Sequence, residues 1–365
     1  MSLTADPGGP STGRSRRLWV FRLLLAASSF AFSIALFEGL SFYLMLSGLG
    51  PDSPKPLLAY YRGYYWYSPF RHVIQFDPAC SVYDDELFYR LKPGNCTHTG
   101  LRFSNAYSVN SLGVRDDEES LTSPGVICLG DSHTMGWGVD QQDTFTQLIE
   151  RKTGLRALNM GVSSYGTVRE LLLLKRADLS GLKVLVIQYD DNDLMENTRY
   201  LSNGRVLYVR PREFWNQMAE REKRNRYFPG RHFFELLRSP FRGPSDTAPN
   251  PTKRAGAHDA AAHARAFLAV VASFDRPELR KARLVVFDVR NEIHQDEPSE
   301  KSFSSALAAL KPSGSVGGLA GRLTVLELAR KLNGAAYRQV IDNHLNEAGH
   351  RLVADAIVEE MARGQ

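Results

Sequence analysis

Cysteine is scarce in this chain, and no cysteines or histidines fall at the spacing of a zinc site. There is no glycine-rich phosphate loop and no nucleic-acid-binding motif. These absences argue against a zinc domain, a nucleotide-driven machine and a nucleic-acid partner. The net charge of +5 does not reverse that, because the excess is modest and sits largely in the N-terminal tail and one central insertion. Asp190, Asp191 and Asp193 cluster, but no fourth ligand accompanies them, so neither a metal nor a cofactor is expected. Of the three cysteines, Cys128 lies inside an apolar run and reads as core filler. Cys80 and Cys96 fall in polar, loop-rich sequence. They are either two free thiols or, in an oxidising compartment, a disulfide worth roughly 3 kcal/mol.

What is present is enough apolar sequence, 43% of 365 residues, for one sizeable domain plus extras. Residues 1–13 are rich in Pro, Gly, Ser and Thr and read as a disordered tail. Arg14, Arg16, Arg17 and Arg22 precede an apolar run from Leu23 to Leu49. About 27 residues are enough to cross roughly 30 Å of hydrocarbon. The arginines place the N-terminus in the cytoplasm and the remainder outside. A cleaved signal peptide is the rival, but its apolar core is about 7–15 residues, and Ala31-Phe32-Ser33 is a poor cleavage site. Glu38 interrupts the run; it lies protonated, pairs within the membrane, or sits at the outer interface. The expected organisation is a basic tail at 1–17, a transmembrane anchor at 18–49, an extended juxtamembrane arm at 50–120 and the main domain at 121–365. Tyr60, Tyr61, Tyr64, Tyr65, Trp66 and Tyr67 open the arm, either as an interfacial aromatic belt or as packing onto the domain.

From Val126 strands alternate with helices, the pattern of a parallel α/β sheet. Strands are expected at Val126–Leu129, Arg156–Met160, Lys183–Tyr189, Ala282–Val289 and Leu323–Leu328. Helices are expected near 144–152, 167–177, 258–273 and 303–310, with a last one, capped by Asn346, running to about Met361. Ser313–Gly321 reads as a loop of small residues. Residues 195–257 break the rhythm with arginine, aromatic residues and proline. They read as a lid, a solvated insertion, or a surface for anionic lipid or sugar.

Four loops each carry a polar candidate. Ser132 follows the first strand in Gly130-Asp131-Ser132, and Gly161 follows the second in Asn159-Met160-Gly161. Asn192 follows the third in Asn192-Asp193, and Asp342 and His344 precede the last helix in Asp342-Asn343-His344. In a parallel sheet such loops share one edge, where ligands bind. The set fits acyl transfer: a serine nucleophile, a histidine base, an aspartate to hold the imidazole, and donors for an oxyanion. Gly-Asp-Ser alone is also a common turn. His133, beside the serine, reads as loop, His350 as surface or packing, and Asp131 as a cap for the following helix.

The four motifs, in this order, resemble the SGNH (GDSL-type) hydrolase family over roughly Val126 to the C-terminus. The resemblance implies a flavodoxin-like three-layer α/β/α fold with a central parallel sheet, here preceded by one N-terminal transmembrane helix. It also implies metal-independent catalysis. It makes Ser132 the nucleophile and one oxyanion donor, Gly161 and Asn192 the other donors, and His344 the base. One feature departs from the family. Its aspartate usually lies three residues before the histidine, where this chain has Ile341, whereas Asp342 lies two before. That shorter form resembles members that add or remove acetyl groups on extracellular polysaccharides. Either a tight turn still brings Asp342 to the imidazole, or Ser132 and His344 work nearly as a dyad. The expectation is a membrane-anchored, extracytoplasmic serine esterase acting on acetyl or acyl esters of carbohydrate or lipid, at a bacterial inner membrane facing the periplasm. An O-acetyltransferase of cell-surface polysaccharide, a lysophospholipase and a non-catalytic glycan-binding envelope protein are the alternatives.

Overall fold

The N-terminal helix α1 spans Thr12–Tyr43 and exposes apolar side chains such as Leu18, Trp19, Phe21, Leu25, Phe32, Leu36 and Leu40. The apolar helical stretch Arg16–Gly48 is long enough to cross a membrane. The structure, a computed structural model, describes residues 12–67, 72–224, 228–231, 233–234, 259–274, 276–289, 302–310 and 322–363. The first eleven residues, the Ser313–Gly321 loop and residues 235–258 of the insertion lie outside the described residues.

Two compact units are present. One comprises residues 1–48 with 227–246, and within it the Glu38 carboxylate accepts the Phe233 backbone N–H at 2.7 Å. The Phe233 ring meets Phe30 and Phe37 edge-on, at 6.1 and 6.0 Å between centroids. The awkward acidic residue of the apolar run is thus buried and hydrogen-bonded.

The second unit, residues 49–226 and 247–365, is built on five parallel strands. It begins with helix α2 (Lys55–Tyr67) and two antiparallel hairpins, β1 (Ser81–Asp84) with β2 (Phe88–Leu91) and β3 (Gly94–Thr99) with β4 (Ser104–Val109). The sheet strands are β5 (Val126–Gly130), β6 (Ala157–Gly161), β7 (Val184–Tyr189), β8 (Arg283–Asp288) and β9 (Leu323–Leu326). The helices around them are α3 (Ser132–Met135), α4 (Phe145–Thr153), α5 (Thr167–Leu174), α6 (Asp193–Ser202), α7 (Arg212–Arg224), α8 (Ala260–Ser273), α9 (Phe303–Ala309), α10 (Ala329–Leu332) and α11 (Glu347–Arg363).

The sheet order is β6-β5-β7-β8-β9, all parallel. This is the flavodoxin-like 2-1-3-4-5 arrangement, whose strand order reverses beside the first strand and opens a crevice at the carboxyl edge. Apolar residues on successive strand positions face opposite ways. Val126, Cys128, Val184, Val186, Val285 and Phe287 pack with Phe145 and Ile149 of α4 and Val353 and Ile357 of α11. Ile127, Leu129, Leu185, Ile187, Leu284 and Val286 pack on the other face with Val168 and Leu171 of α5, Phe267 and Val270 of α8, and Phe303 of α9. Continuous apolar strands therefore mean two covered faces, giving the three-layer α/β/α fold.

Residues 50–120 are not an extended arm. Leu87, Tyr89 and Val114 join the larger core, while Ile74, Cys80, Leu91, Tyr107 and Val109 form a third cluster with Met135 and Trp137. The alternating burial of β4, exposed at Ser104 and buried at Asn105, is the period-two pattern of a half-buried strand. Cys80 and Cys96 form a disulfide across a separation of 16 residues, tying the two hairpins together. Cys128 is buried and free, with its thiol pushed up to about 12 by burial, so it has no thiolate character at neutral pH. The insertion expected over 195–257 begins with α6 and α7, and Trp215 of α7 is buried in the larger core, its indole donating to the Gln75 carbonyl at 2.8 Å.

Candidate active site

The chain leaves β5 at Gly130 and enters α3 at once. Asp131 caps α3 by accepting the His133 N–H at 2.8 Å, and the turn puts Ser132 first in the helix. The partner strand must come close beneath. A Cβ on Gly161 would lie 2.1 Å from the Met135 nitrogen, so no larger residue fits there. Gln188 of β7 ties the turn from the other side: its Oε1 accepts the Asp131 N–H and the Thr134 hydroxyl, each at 3.0 Å.

At the C-terminal edge, Arg338 is buried and organises the loop before α11. It donates to the carbonyls of Leu332 and Asn343, both at 2.8 Å, and of Val289 at 3.2 Å. Asn343 has φ 65°, a left-handed conformation that asparagine tolerates well. That turn sets Asp342 beside His344 although a single residue separates them.

The result is a continuous chain of hydrogen bonds. Ser132 Oγ lies 2.8 Å from His344 Nε2, and His344 Nδ1 lies 2.9 Å from Asp342 Oδ1. All three side chains are buried. The two-residue spacing is compatible with contact between Asp342 and the imidazole. Asp342 Oδ2 accepts two further donors, the Trp137 indole N–H and the Tyr65 hydroxyl at 3.2 Å. The Trp137 ring also stacks on the His344 imidazole.

The expected oxyanion donors stand differently. The Gly161 N–H is taken by the Asn159 Oδ1 at 3.0 Å, and Asn159 in turn donates to the Thr134 carbonyl at 3.0 Å. Gly161 thus reaches the site edge, but its donor is engaged by the side chain of its own motif. Asn192 precedes α6 at the carboxyl end of β7, and its Oδ1 is buried without a hydrogen-bond partner.

The two histidines nearest these motifs, His133 and His350, are structural. His133 is buried within α3, its ring 4.9 Å from that of His344, and its Nδ1 accepts the Leu345 N–H at 3.4 Å. Burial holds its pKa well below the ordinary value. His350 is buried rather than on the surface; it accepts the Phe145 N–H at 3.1 Å and is held down to about 3 by burial. Tyr65, expected only as part of an aromatic belt or as packing, and Trp137, Gln188 and Arg115, given no role in the sequence, each touch the triad or the loop that carries it. Among the described residues no group of acidic, histidine or cysteine side chains could hold a metal ion.

Behind the serine lies a set of buried carboxyls. Burial, then the neighbouring Asp190, pushes Asp131 up to about 7. Glu170 and Asp193 are raised in the same way, chiefly by burial. In the unfolded chain these groups ionise near pH 4. Between about pH 4 and 7 the native state therefore holds more protons than the unfolded state, and stability falls as pH rises through that window. Below it Asp131 contributes nothing, and above it the Asp131 penalty is constant. Asp131→Asn keeps an oxygen for the His133 cap and removes the ionisation. We expect it to flatten this decline and to stabilise at pH 8 by at least about 1.4 kcal/mol, the equivalent of one pKa unit. Urea unfolding at pH 5 and pH 8 checks it; an unchanged difference between the two pH values would refute the assignment.

No protein-family model matches the sequence, and no curated protein matches it either. Among solved structures, the chain is similar to a member of the lipolytic protein G-D-S-L family from Veillonella parvula DSM 2008, with 11% identity, a TM-score of 0.36, and coverage of 65% of this chain and 98% of that one. It is also similar to a protein assigned to the lipolytic G-D-S-L family from Desulfitobacterium hafniense DCB-2, with 11% identity, a TM-score of 0.32, and coverage of 64% and 97%.

Proposed function

We propose that this chain is a membrane-anchored serine esterase of the SGNH type that acts outside the cytoplasm on acetyl or other acyl esters of carbohydrate or lipid. The observation that carries the reading is the unbroken relay from Ser132 through His344 to Asp342 at the carboxyl edge of a parallel sheet. Ser132 Oγ attacks the ester carbonyl while His344 Nε2 takes its proton. Asp342 holds the imidazole tautomer and offsets the charge of the imidazolium. The C–O bond then breaks, and His344 returns the proton to the leaving alkoxide. Water, activated by the same imidazole, attacks the acyl-serine and releases acid and free Ser132. The oxyanion is assigned to the Ser132 N–H and the Asn192 amide. The Gly161 N–H joins them only by exchanging its bond with Asn159. The extracytoplasmic side is supported by the arginines preceding the apolar part of α1 and by the disulfide, which persists in oxidising compartments.

The test is fluorophosphonate labelling of the full chain in detergent, with hydrolysis of a short acetyl ester followed in parallel. Labelling and turnover that both vanish in Ser132→Ala are expected. A folded chain that neither labels nor turns over would displace this reading in favour of a non-catalytic glycan-binding protein. Adding oligosaccharides and analysing products separates hydrolysis from transfer to a sugar hydroxyl, and lysolipid micelles test the lipid arm.

A further inference from the structure

The Asp-x-His spacing gives Asp342 a short tether, and the rotation of a carboxylate about its last bond is soft and roughly two-fold. The turn at Asn343 therefore brings the carboxylate near His344 without fixing which way it faces. Its orientation comes from elsewhere in the chain. Oδ1 accepts from His344 Nδ1 at 2.9 Å, while Oδ2 accepts the Trp137 indole N–H and the Tyr65 hydroxyl, the latter at 3.2 Å. Trp137 touches both partners at once. Its ring stacks on the imidazole, with centroids 5.0 Å apart and planes 16° apart.

Trp137 is itself held firmly. His98 meets it edge-on at 4.5 Å, and its carbonyl accepts the Gln339 amide at 2.9 Å. Burial keeps His98 at about 3, so the ring beside the indole is neutral and does not compete for Asp342. Tyr65 reaches the site from α2, and it is fully buried. Resting on the reading of Ser132, His344 and Asp342 as the catalytic relay, we infer that Trp137 and Tyr65 are positioning residues that turn a short Asp-x-His tether into a working triad. Trp137 also offers the face of its π system to the imidazolium that forms when His344 takes the serine proton.

Three variants of the full chain in detergent test this: Tyr65→Phe, Trp137→Phe and Trp137→Leu. Each is assayed for acetyl-ester kinetics, for the pH profile of kcat/KM and for the rate of fluorophosphonate labelling. Loss of a single hydrogen bond to a charged carboxylate is expected to lower kcat about tenfold in Tyr65→Phe and Trp137→Phe, with KM within about twofold. Trp137→Leu loses the stack as well and is expected to fall about 100-fold. With one donor gone, more negative charge stays on the oxygen facing His344, so the acid limb of the profile moves to higher pH in both Phe variants. A residue that merely filled the core would lower the amount of folded enzyme without moving that limb. In an Asp342→Asn background, Tyr65→Phe is expected to have no further effect.

The inference is overturned if wild type labels and turns over while both Phe variants keep its kcat and its acid limb. Wild type that neither labels nor turns over instead removes the esterase reading, and this role with it. Should Trp137→Leu fail to fold, the two Phe variants decide.

Discussion

Asp342→Asn is expected to be a more damaging substitution than Asp342→Ala, and about as damaging as His344→Ala. The reason lies in what surrounds the carboxylate. The Trp137 indole is a donor only, so an amide at position 342 must turn its oxygen towards Trp137. That turns its NH2 group towards His344 Nδ1, which then has to accept. The imidazole proton is driven to Nε2, facing Ser132 Oγ at 2.8 Å, and the base is lost. Enforcing the wrong tautomer in a serine triad costs roughly 10⁴-fold in kcat, and removing a general base is worth up to a similar figure. Asp342→Ala leaves His344 free to take either tautomer, and its loss is expected to be about 10²-fold. Neighbouring His133 cannot substitute as base, since burial disfavours the imidazolium it would become and its Nδ1 already accepts the Leu345 N–H. Steady-state kinetics on a short acetyl ester settle the order, and nitrogen chemical shifts of His344 report the tautomer. If the Asn variant were as active as the Ala variant, Trp137 would not be dictating the carboxylate's orientation.

The alternation of strand and helix after Val126 was legible because every sheet strand is apolar on both faces, and this pattern survives without knowledge of the partners. Strand ends shifted by one or two residues: β9 stops at Leu326, and β7 opens at Val184. Ser132 and His344 were legible as candidates because their residue types are tied to one chemistry and their loops to one sheet edge, whereas the sequence left open whether Asp342, two residues before the histidine, reaches the imidazole. The rest depended on contacts distant in sequence. Tyr65 stands in a crowd of aromatic residues that suits a membrane interface equally well, and only the burial of Leu58, Tyr61 and Tyr65 on one side of α2 distinguishes it. Trp137 sits between two glycines five residues after the serine, where a bulky apolar ring carries no local sign of a polar partner. The hairpins of residues 81–109 lack Asn-Gly or Asp-Gly turns, so their strands read as an extended arm. The engaged Gly161 N–H is a tertiary fact as well, because Asn159 reads as part of the motif until its side chain is placed.

Arg115 is the extreme case of a residue without a local signal, and a large loss of stability is expected from its replacement. Its guanidinium is fully buried and lies 3.6 Å from the Tyr107 ring centroid. It donates to the carbonyls of Met135 at 3.2 Å, Gly136 at 2.7 Å and Val139 at 2.9 Å, gathering the loop that carries Trp137. Gly136 allows this by adopting φ 85°, where a Cβ would sit 3.0 Å from the guanidinium and 2.5 Å from the Thr144 methyl. Arg115→Met fills similar volume but takes a donor from all three carbonyls: that of Gly136 keeps the Val139 N–H at 3.3 Å and the Tyr107 hydroxyl at 3.5 Å, while those of Met135 and Val139 lose the guanidinium that holds them. Each buried acceptor left unsatisfied costs about 1–3 kcal/mol, so a loss of roughly 3–5 kcal/mol is expected, a large share of the 5–15 kcal/mol typical of a domain. Arg115→Lys keeps the charge but lacks the planar fork that spans several carbonyls, and about half that loss is expected. Urea unfolding measures both. In variants that remain folded, the displaced Trp137 should slow fluorophosphonate labelling of Ser132 as well. A Met variant within about 1 kcal/mol of wild type would show that the loop closes without the guanidinium.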